Sequence, residues 1–200
     1  RRGADHRPLR VTARRVDRLR LVSRGGGAGM TRVVPVVVTY LEMRTPPAAP
    51  LVGDPPGVTL VRVMPPEAAE AAARLYRAVG GAWHWRDRLA WAPSDWAAAL
   101  HVPAVELWVA RRGPLELGYA ELAPSGSAME IRYFGLVPEA MGQGLGRWLL
   151  QRTIALAWAT SPSRVILNTC TLDGPAALPN YLARGFTIVR EEHQLRELPT

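Results

Sequence analysis

Three glycines, Gly142, Gly144 and Gly146, stand at alternate positions in the segment LVPEAMGQGLGRWLL, where a helix is due to begin. Glycine costs a helix interior about 1 kcal/mol relative to alanine, so three of them in an entry turn need a physical reason. A helix N-terminus exposes unpaired N–H groups and a partial positive charge, and glycines let an anion, a phosphate above all, approach that backbone closely. The turn alone leaves two readings open: a tight packing corner, or a loop stripped of side chains so that its amides can grip something. The spacing lacks the third glycine of a dinucleotide fingerprint at its expected offset, and no acid ends a following strand about 20 residues on. The chain contains no lysine, which excludes a Walker-type phosphate loop and Schiff-base chemistry. Cys170 is the single cysteine, so an intrachain disulfide framework and a cysteine-cluster metal site are excluded as well. Trp83, Trp85, Trp91 and Trp96 gather in one short segment. Tryptophan faces attract cations such as ammonium groups, although packing of at least two of the four rings is the plainer expectation.

The elements that must position these residues follow from periodicity. MEIRYFGLV (residues 129–137), just before the glycines, is rich in β-branched and aromatic residues and reads as a strand. After them Leu145, Trp148, Leu149 and Leu156 recur at helical spacing, which predicts a helix over 144–159. Upstream, residues 34–43 and 58–64 read as strands joined by the Pro/Gly-rich connection TPPAAPLVGDPPG. PPEAAEAAARLYRAVGG carries prolines and acids at its start and Gly80-Gly81 at its stop, the marks of a helix. Ser94 or Asp95 is expected to cap a short second helix. Residues 105–110 and 115–122 alternate around Arg111-Arg112-Gly113-Pro114 as a hairpin. RVILNTC, PAALPNYLAR and FTIVREEH then read as a strand, a short helix and a last strand. This order predicts one α/β domain with a mixed, partly antiparallel sheet flanked by helices.

Two hundred residues with 48% apolar content suit one such domain. The net charge of +8 is unevenly spread: residues 1–29 hold nine arginines against Asp5 and Asp17, while the rest of the chain sets sixteen arginines against fifteen acids. A nucleic-acid role would rest on that tail, which has no aromatic residue for stacking, so nucleic acid is not the expected partner. Residues 1–29 read as a basic, disordered extension or as sequence upstream of the true start, and residues 30–200 as the single domain. A transit segment fits less well because serine is scarce. With neither a secretory apolar block nor an apolar run of about 18 residues, a cytoplasmic protein without membrane contact is expected.

The segment LVPEAMGQGLGRWLL resembles the acetyl-CoA signature of the GNAT superfamily of N-acetyltransferases, in which a strand leads through Val-x-Pro to Arg/Gln-x-x-Gly-x-Gly/Ala and a helix. Further on, ALPNYLARGF (residues 177–186) is similar to that superfamily's second signature of Ala, then Leu-Tyr, then Gly-Phe. The resemblance spans residues 58–190 and is strongest over 130–186. It implies a GNAT-like fold, to which residues 34–43 add an extra N-terminal strand, expected at the sheet edge. WHWRDRLAW together with NTCTLD looks like a bacterial subgroup. The implied activity is transfer of an acetyl group from acetyl-CoA directly to a primary amine of a small molecule or peptide, with no metal and with a homodimer left open. By the same resemblance the cofactor contacts fall on Leu136, Val137, Met141, Gly142, Gln143, Gly144, Leu145, Gly146, Arg147 and Tyr181. Most would be backbone amides on CoA phosphates, with Arg147 reaching a phosphate oxygen. Met141 stands where the family usually has Arg or Gln, so a side-chain contact is lost there while the backbone remains. Asp173 stands roughly where many members have asparagine.

Such a transfer needs an unprotonated amine, a place for charge on the carbonyl oxygen, and a proton for the departing thiolate. An alkylamine has a pKa of about 10.4, so neutralising it at neutral pH costs about 4 to 5 kcal/mol, and a carboxylate can take the proton. Glu130, on the strand before the glycines, is the first candidate base, against its being a solvated or arginine-paired strand residue. Glu121 is the alternative base, and with Trp83 and Trp85 it is a candidate for acceptor binding. The Leu136 N–H is the implied oxyanion donor. Tyr181 matches the family tyrosine that protonates the CoA sulfur, against a ring packed in the core. His84 is read as a second proton acceptor or a hydrogen-bonded spacer, and Cys170 as a core residue, with carriage of an acetyl group the lesser alternative. A second function stays open: a non-catalytic CoA or acyl-CoA sensor, or an interaction module.

Overall fold

The computed structural model describes residues 31–48, 51–102 and 104–199, so the basic segment of residues 1–29 lies outside the described residues. Seven strands form one sheet: β1 (Thr31–Met43), β2 (Val58–Val63), β3 (Glu106–Arg112), β4 (Leu115–Ser125), β5 (Ala128–Leu136), β6 (Arg164–Cys170) and β7 (Thr187–Pro199). Their order is β2-β3-β4-β5-β6-β1-β7, and every neighbouring pair is antiparallel except β5 and β6. Among the described residues four α-helices accompany them: α1 (Glu67–Gly80), α2 (Pro93–Leu100), α3 (Leu145–Ala159) and α4 (Ala177–Leu182).

Local chemistry sets the helix limits. In α1, Glu67 and Glu70 sit in the first turn and Arg77 in the last, each opposing the helix dipole. The helix stops at Gly80, where a Cβ would lie 2.4 Å from the Trp85 ring that packs over it. In α2 the Asp95 carboxylate accepts the Ala92 N–H at 2.8 Å, so the cap comes from inside the first turn. Helices α1 and α2 cover one face of the sheet around Leu75, Tyr76, Trp96, Leu107 and Tyr119. Helices α3 and α4 cover the other around Leu41, Leu122, Leu150, Ile154 and Leu167.

Strand β5 carries the irregularity that matters most. Glu121 pairs with Tyr133 but Leu122 pairs with Ile131, which leaves Arg132 as an unpaired bulge. The extra residue resets the alternation. Glu130 and Tyr133 face the α1–α2 side, while Ile131, Phe134 and Leu136 face α3.

The extra N-terminal strand is present, but it lies inside the sheet and not at its edge. Val38–Met43 pair with β6 on one side, and Thr31–Glu42 pair with β7 on the other, so β7 is the edge. Val36, Val38, Leu41 and Met43 are all buried, as an interior strand requires. Ahead of Val38, β1 pairs with β7 alone, and the two project beyond the end of β6 as a two-stranded arm. Pro35 sits in this arm. Val37 turns its N–H and C=O toward Thr171, at the end of β6, so the missing donor of Pro35, two residues back, falls on the side where β6 has ended. Leu41→Ala is expected to lower the unfolding free energy by about 2–5 kcal/mol in urea titration, as for a core leucine; an unchanged midpoint would mean that β1 is a dispensable addition.

Candidate active site

Strands β5 and β6 pair over three rows only, Ala128 with Arg164, Met129 with Val165 and Glu130 with Ile166. Beyond that point β5 follows β4 and β6 follows β1, and a wedge opens between them. The wedge holds a cavity of about 700 Å³ whose wall includes Glu130, Leu136, Met141, Asn168, Asn180 and Tyr181. Val137 donates its N–H to the Leu117 carbonyl at 3.0 Å. Because antiparallel pairs alternate in their bonding, the amides of Phe134 and Leu136 point away from β4, into the side that β6 has vacated. Two main-chain donors therefore face the wedge.

The glycine turn borders this cavity. Gly144 is the N-cap of α3 in the left-handed region (φ 75°), and Gly142 shares that conformation (φ 74°). A Cβ at either would meet nothing within 4 Å, so their side-chain faces are bare. Gly146 touches two wall residues: its carbonyl accepts Asn180 Nδ2 at 3.4 Å, and a Cβ there would lie 3.7 Å from Leu136 Cδ1. The first-turn amides of Leu145, Gly146 and Arg147 have no acceptor within the helix. Not every expected contact is available. Val137 spends its N–H on β4, and Met141, which lines the cavity, donates its own to Pro138 at 3.2 Å. Gln143 turns its side chain back to the Glu139 carbonyl. Arg147 is joined by a residue that lies inside the second signature but is not specified by it: Arg184, whose buried Nε lacks a partner among the described residues and whose guanidinium is pushed below its ordinary pKa by burial and by Arg147.

Tyr181 lines the cavity with 7% of its surface exposed. Burial, reinforced by the Asp173 carboxylate, raises its phenol well above the ordinary value. Glu130 lies in the same cavity wall, its Oε2 3.6 Å from Arg132 Nε. The Tyr181 phenol and the Glu130 carboxylate thus share one cavity, and the bare-faced glycine turn adjoins its wall through Gly146.

The acetyltransferase (GNAT) family model matches residues 67–186. The chain belongs to the acetyltransferase (GNAT) family. Solved structures agree on the fold: a GCN5-related N-acetyltransferase from Sphaerobacter thermophilus superposes with a TM-score of 0.63 at 17% identity, over 84% of this chain and 53% of that one. A GCN5-related N-acetyltransferase from Kribbella flavida gives 0.53 at 20% identity, over 86% and 60%. The chain therefore spans between half and two thirds of the length of these structures. No curated protein matches its sequence.

In this GNAT domain the acceptor-side candidates separate. Trp83 and Trp85 line the cavity, and Trp85 Nε1 donates to Asp173 Oδ1 at 3.4 Å. Trp91 and Trp96 instead stack edge-to-face, 5.0 Å between centroids, beside the Arg88 guanidinium. Glu121 does not line the cavity. It is 1% exposed and holds Arg88 through two bonds of 2.7 and 2.9 Å, with Arg132 at 3.3 Å, so the structure gives it a buried ion pair where acceptor contact was expected. His84 reaches the cavity wall in the left-handed region (φ 57°). Cys170 is half-buried in the wall, not in the core. Asp87 also lines the cavity and accepts the hydroxyls of Tyr76 and Tyr133, both of which burial raises above their ordinary pKa. Among the described residues no helix is long and apolar enough to cross a membrane.

Breaking a buried pair strands a charge, so Arg88→Met is expected to cost about 3–5 kcal/mol of stability in urea titration. A variant as stable as the parent would remove Glu121 and Arg88 from the framework under the site.

Proposed function

We propose that this chain transfers an acetyl group from acetyl-CoA to a primary amine, directly and without an enzyme-bound acyl group. The observation that carries the reading is the meeting in one wedge of the Phe134 and Leu136 N–H groups, the Tyr181 phenol and the Glu130 carboxylate, with the bare amides at the start of α3 adjoining its wall. Acetyl-CoA supplies the acetyl group as a thioester, exchanged in the reaction for an amide and a free thiol.

The amides of Gly142, Gln143, Gly144, Leu145, Gly146 and Arg147 are suited to the diphosphate, and the charges of Arg147 and Arg184 favour the same anion. The absence of any atom near a Cβ at Gly142 or Gly144 supports this fit, since a ligand can lie directly on the backbone. Glu130 takes the proton that frees the amine nitrogen for attack. The new C–N bond forms as the C–S bond breaks, while the carbonyl oxygen's charge is met by the Leu136 N–H, with the Phe134 N–H beside it. Tyr181 gives its proton to the leaving sulfur and is restored by the second proton that the attacking nitrogen sheds on becoming an amide; the proton held by Glu130 passes to solvent, so one proton is released per turnover of an ammonium acceptor. Burial suits Tyr181 to this task because it keeps the phenol protonated through neutral and moderately alkaline pH. The Glu130–Arg132 contact favours one competing reading, a CoA sensor without catalysis, because a carboxylate held beside a guanidinium is less free to reach an amine.

Calorimetry with acetyl-CoA and mass spectrometry of an amine panel test the proposal together. Binding, with acetylated product, is expected for the wild type. Glu130→Gln and Tyr181→Phe should each lower kcat by about 100-fold or more while CoA still binds, and Gly144→Val should weaken binding itself. Activity should rise with pH as the amine deprotonates and show no loss from Tyr181 ionisation below about pH 10, the ordinary value that burial exceeds. Tight binding with no product from any amine would favour the sensor.

A further inference from the structure

Charged groups in the cavity wall are matched unevenly. Asp87 is occupied by two tyrosine hydroxyls, and Asp173 by Thr169 Oγ1 at 2.6 Å and the Cys170 N–H at 2.9 Å. Arg132 lies between Glu121 and Glu130. Arg196 of β7 is different: it lines the cavity, is half-buried, and joins no ion pair among the described residues. Its one side-chain bond runs from Nη1 to Cys170 Sγ at 3.9 Å, and sulfur is a weak acceptor. Arg86 and Glu197 also line the cavity without an ion pair among the described residues, but both are exposed to water. A guanidinium drawn partly out of water gains most from an anion, and its planar fork matches a carboxylate. Arg196 reaches the wall because the β1–β7 arm runs on past the end of β6.

We infer that Arg196 anchors a carboxylate carried by the acceptor, so that the acceptor is a zwitterionic amine of the amino-acid class. The inference rests on the acetyl-transfer reading above. An acceptor of this kind meets opposite charges at its two ends: Glu130 on β5 serves the amine and Arg196 on β7 the carboxylate, both in the wall of one cavity. The rings of Trp83 and Trp85 in that wall offer an apolar surface to its side chain.

The test presents the full chain and acetyl-CoA with a set of amino acids, each beside its own carboxamide. Wild-type kcat/KM is expected to favour the free acid by about 10- to 100-fold, the reach of one charge-assisted contact. Arg196→Gln should raise KM for the acid and bring the acid-to-amide ratio close to one, whereas Arg196→Lys should retain part of the preference. Apart from turnover, calorimetry of the corresponding N-acetyl amino acids in the presence of CoA should detect binding to the wild type and its loss in Arg196→Gln. Equal use of acid and amide by the wild type, or an undiminished preference in Arg196→Gln, overturns the inference and leaves acetyl transfer standing. Failure both to bind acetyl-CoA and to acetylate any amine defeats the transfer reading, and this inference with it.

Discussion

Parallel strands β5 and β6 stay together for three rows and then part, and most of the molecule is arranged around that separation. A parallel pair broken in this way leaves main-chain donors facing an opening, which elsewhere in a sheet would be a defect. Each strand keeps a partner on its other side, β4 for β5 and β1 for β6, so the opening does not unravel the sheet. Helix α3 packs against β5 and begins where the opening ends. In its first turn Gly146 lies against Leu136, at the wall of the opening.

The framework beneath this opening is electrostatic as well as apolar. Arg88, Glu121, Arg132 and Glu130 form a run of alternating charge from the covered interior to the cavity wall. The Arg88 guanidinium lies 4.4 Å from the Trp91 ring centre and 4.2 Å from that of Tyr133, so aromatic faces replace part of the water it gave up. The bulge at Arg132 belongs to this arrangement. It turns Glu130 toward the α1–α2 side and Phe134 toward α3, so the two line the cavity from opposite faces of β5.

Features written in consecutive residues could be read from the chain. The stop of α1 at Gly80, the hairpin at Arg111–Pro114, the glycine entry to α3 and the short helix holding Tyr181 all depend on local chemistry. What escaped the reading depends on partners far away in sequence. Val38 faces Cys170 across 132 residues, and nothing near Val38 says whether it is an edge or an interior strand. Arg184 and Arg196 acquire meaning only when the fold brings them to the glycine turn and the wedge. Glu121 did carry a signal, as a lone acid in the apolar run LGYAELA, which more often marks a paired charge than a solvated one. The Arg132 bulge carried none, because one unpaired residue leaves the strand's composition unchanged.

Hydrogen exchange read amide by amide, with and without CoA, tests the central claim most directly, because the claim concerns particular N–H groups. Protection on adding CoA is expected at Phe134, Leu136 and the amides from Gly142 to Arg147, with little change in β2 and β3. Exchange in those amides that CoA leaves unaltered, under conditions where CoA is bound, would contradict the account.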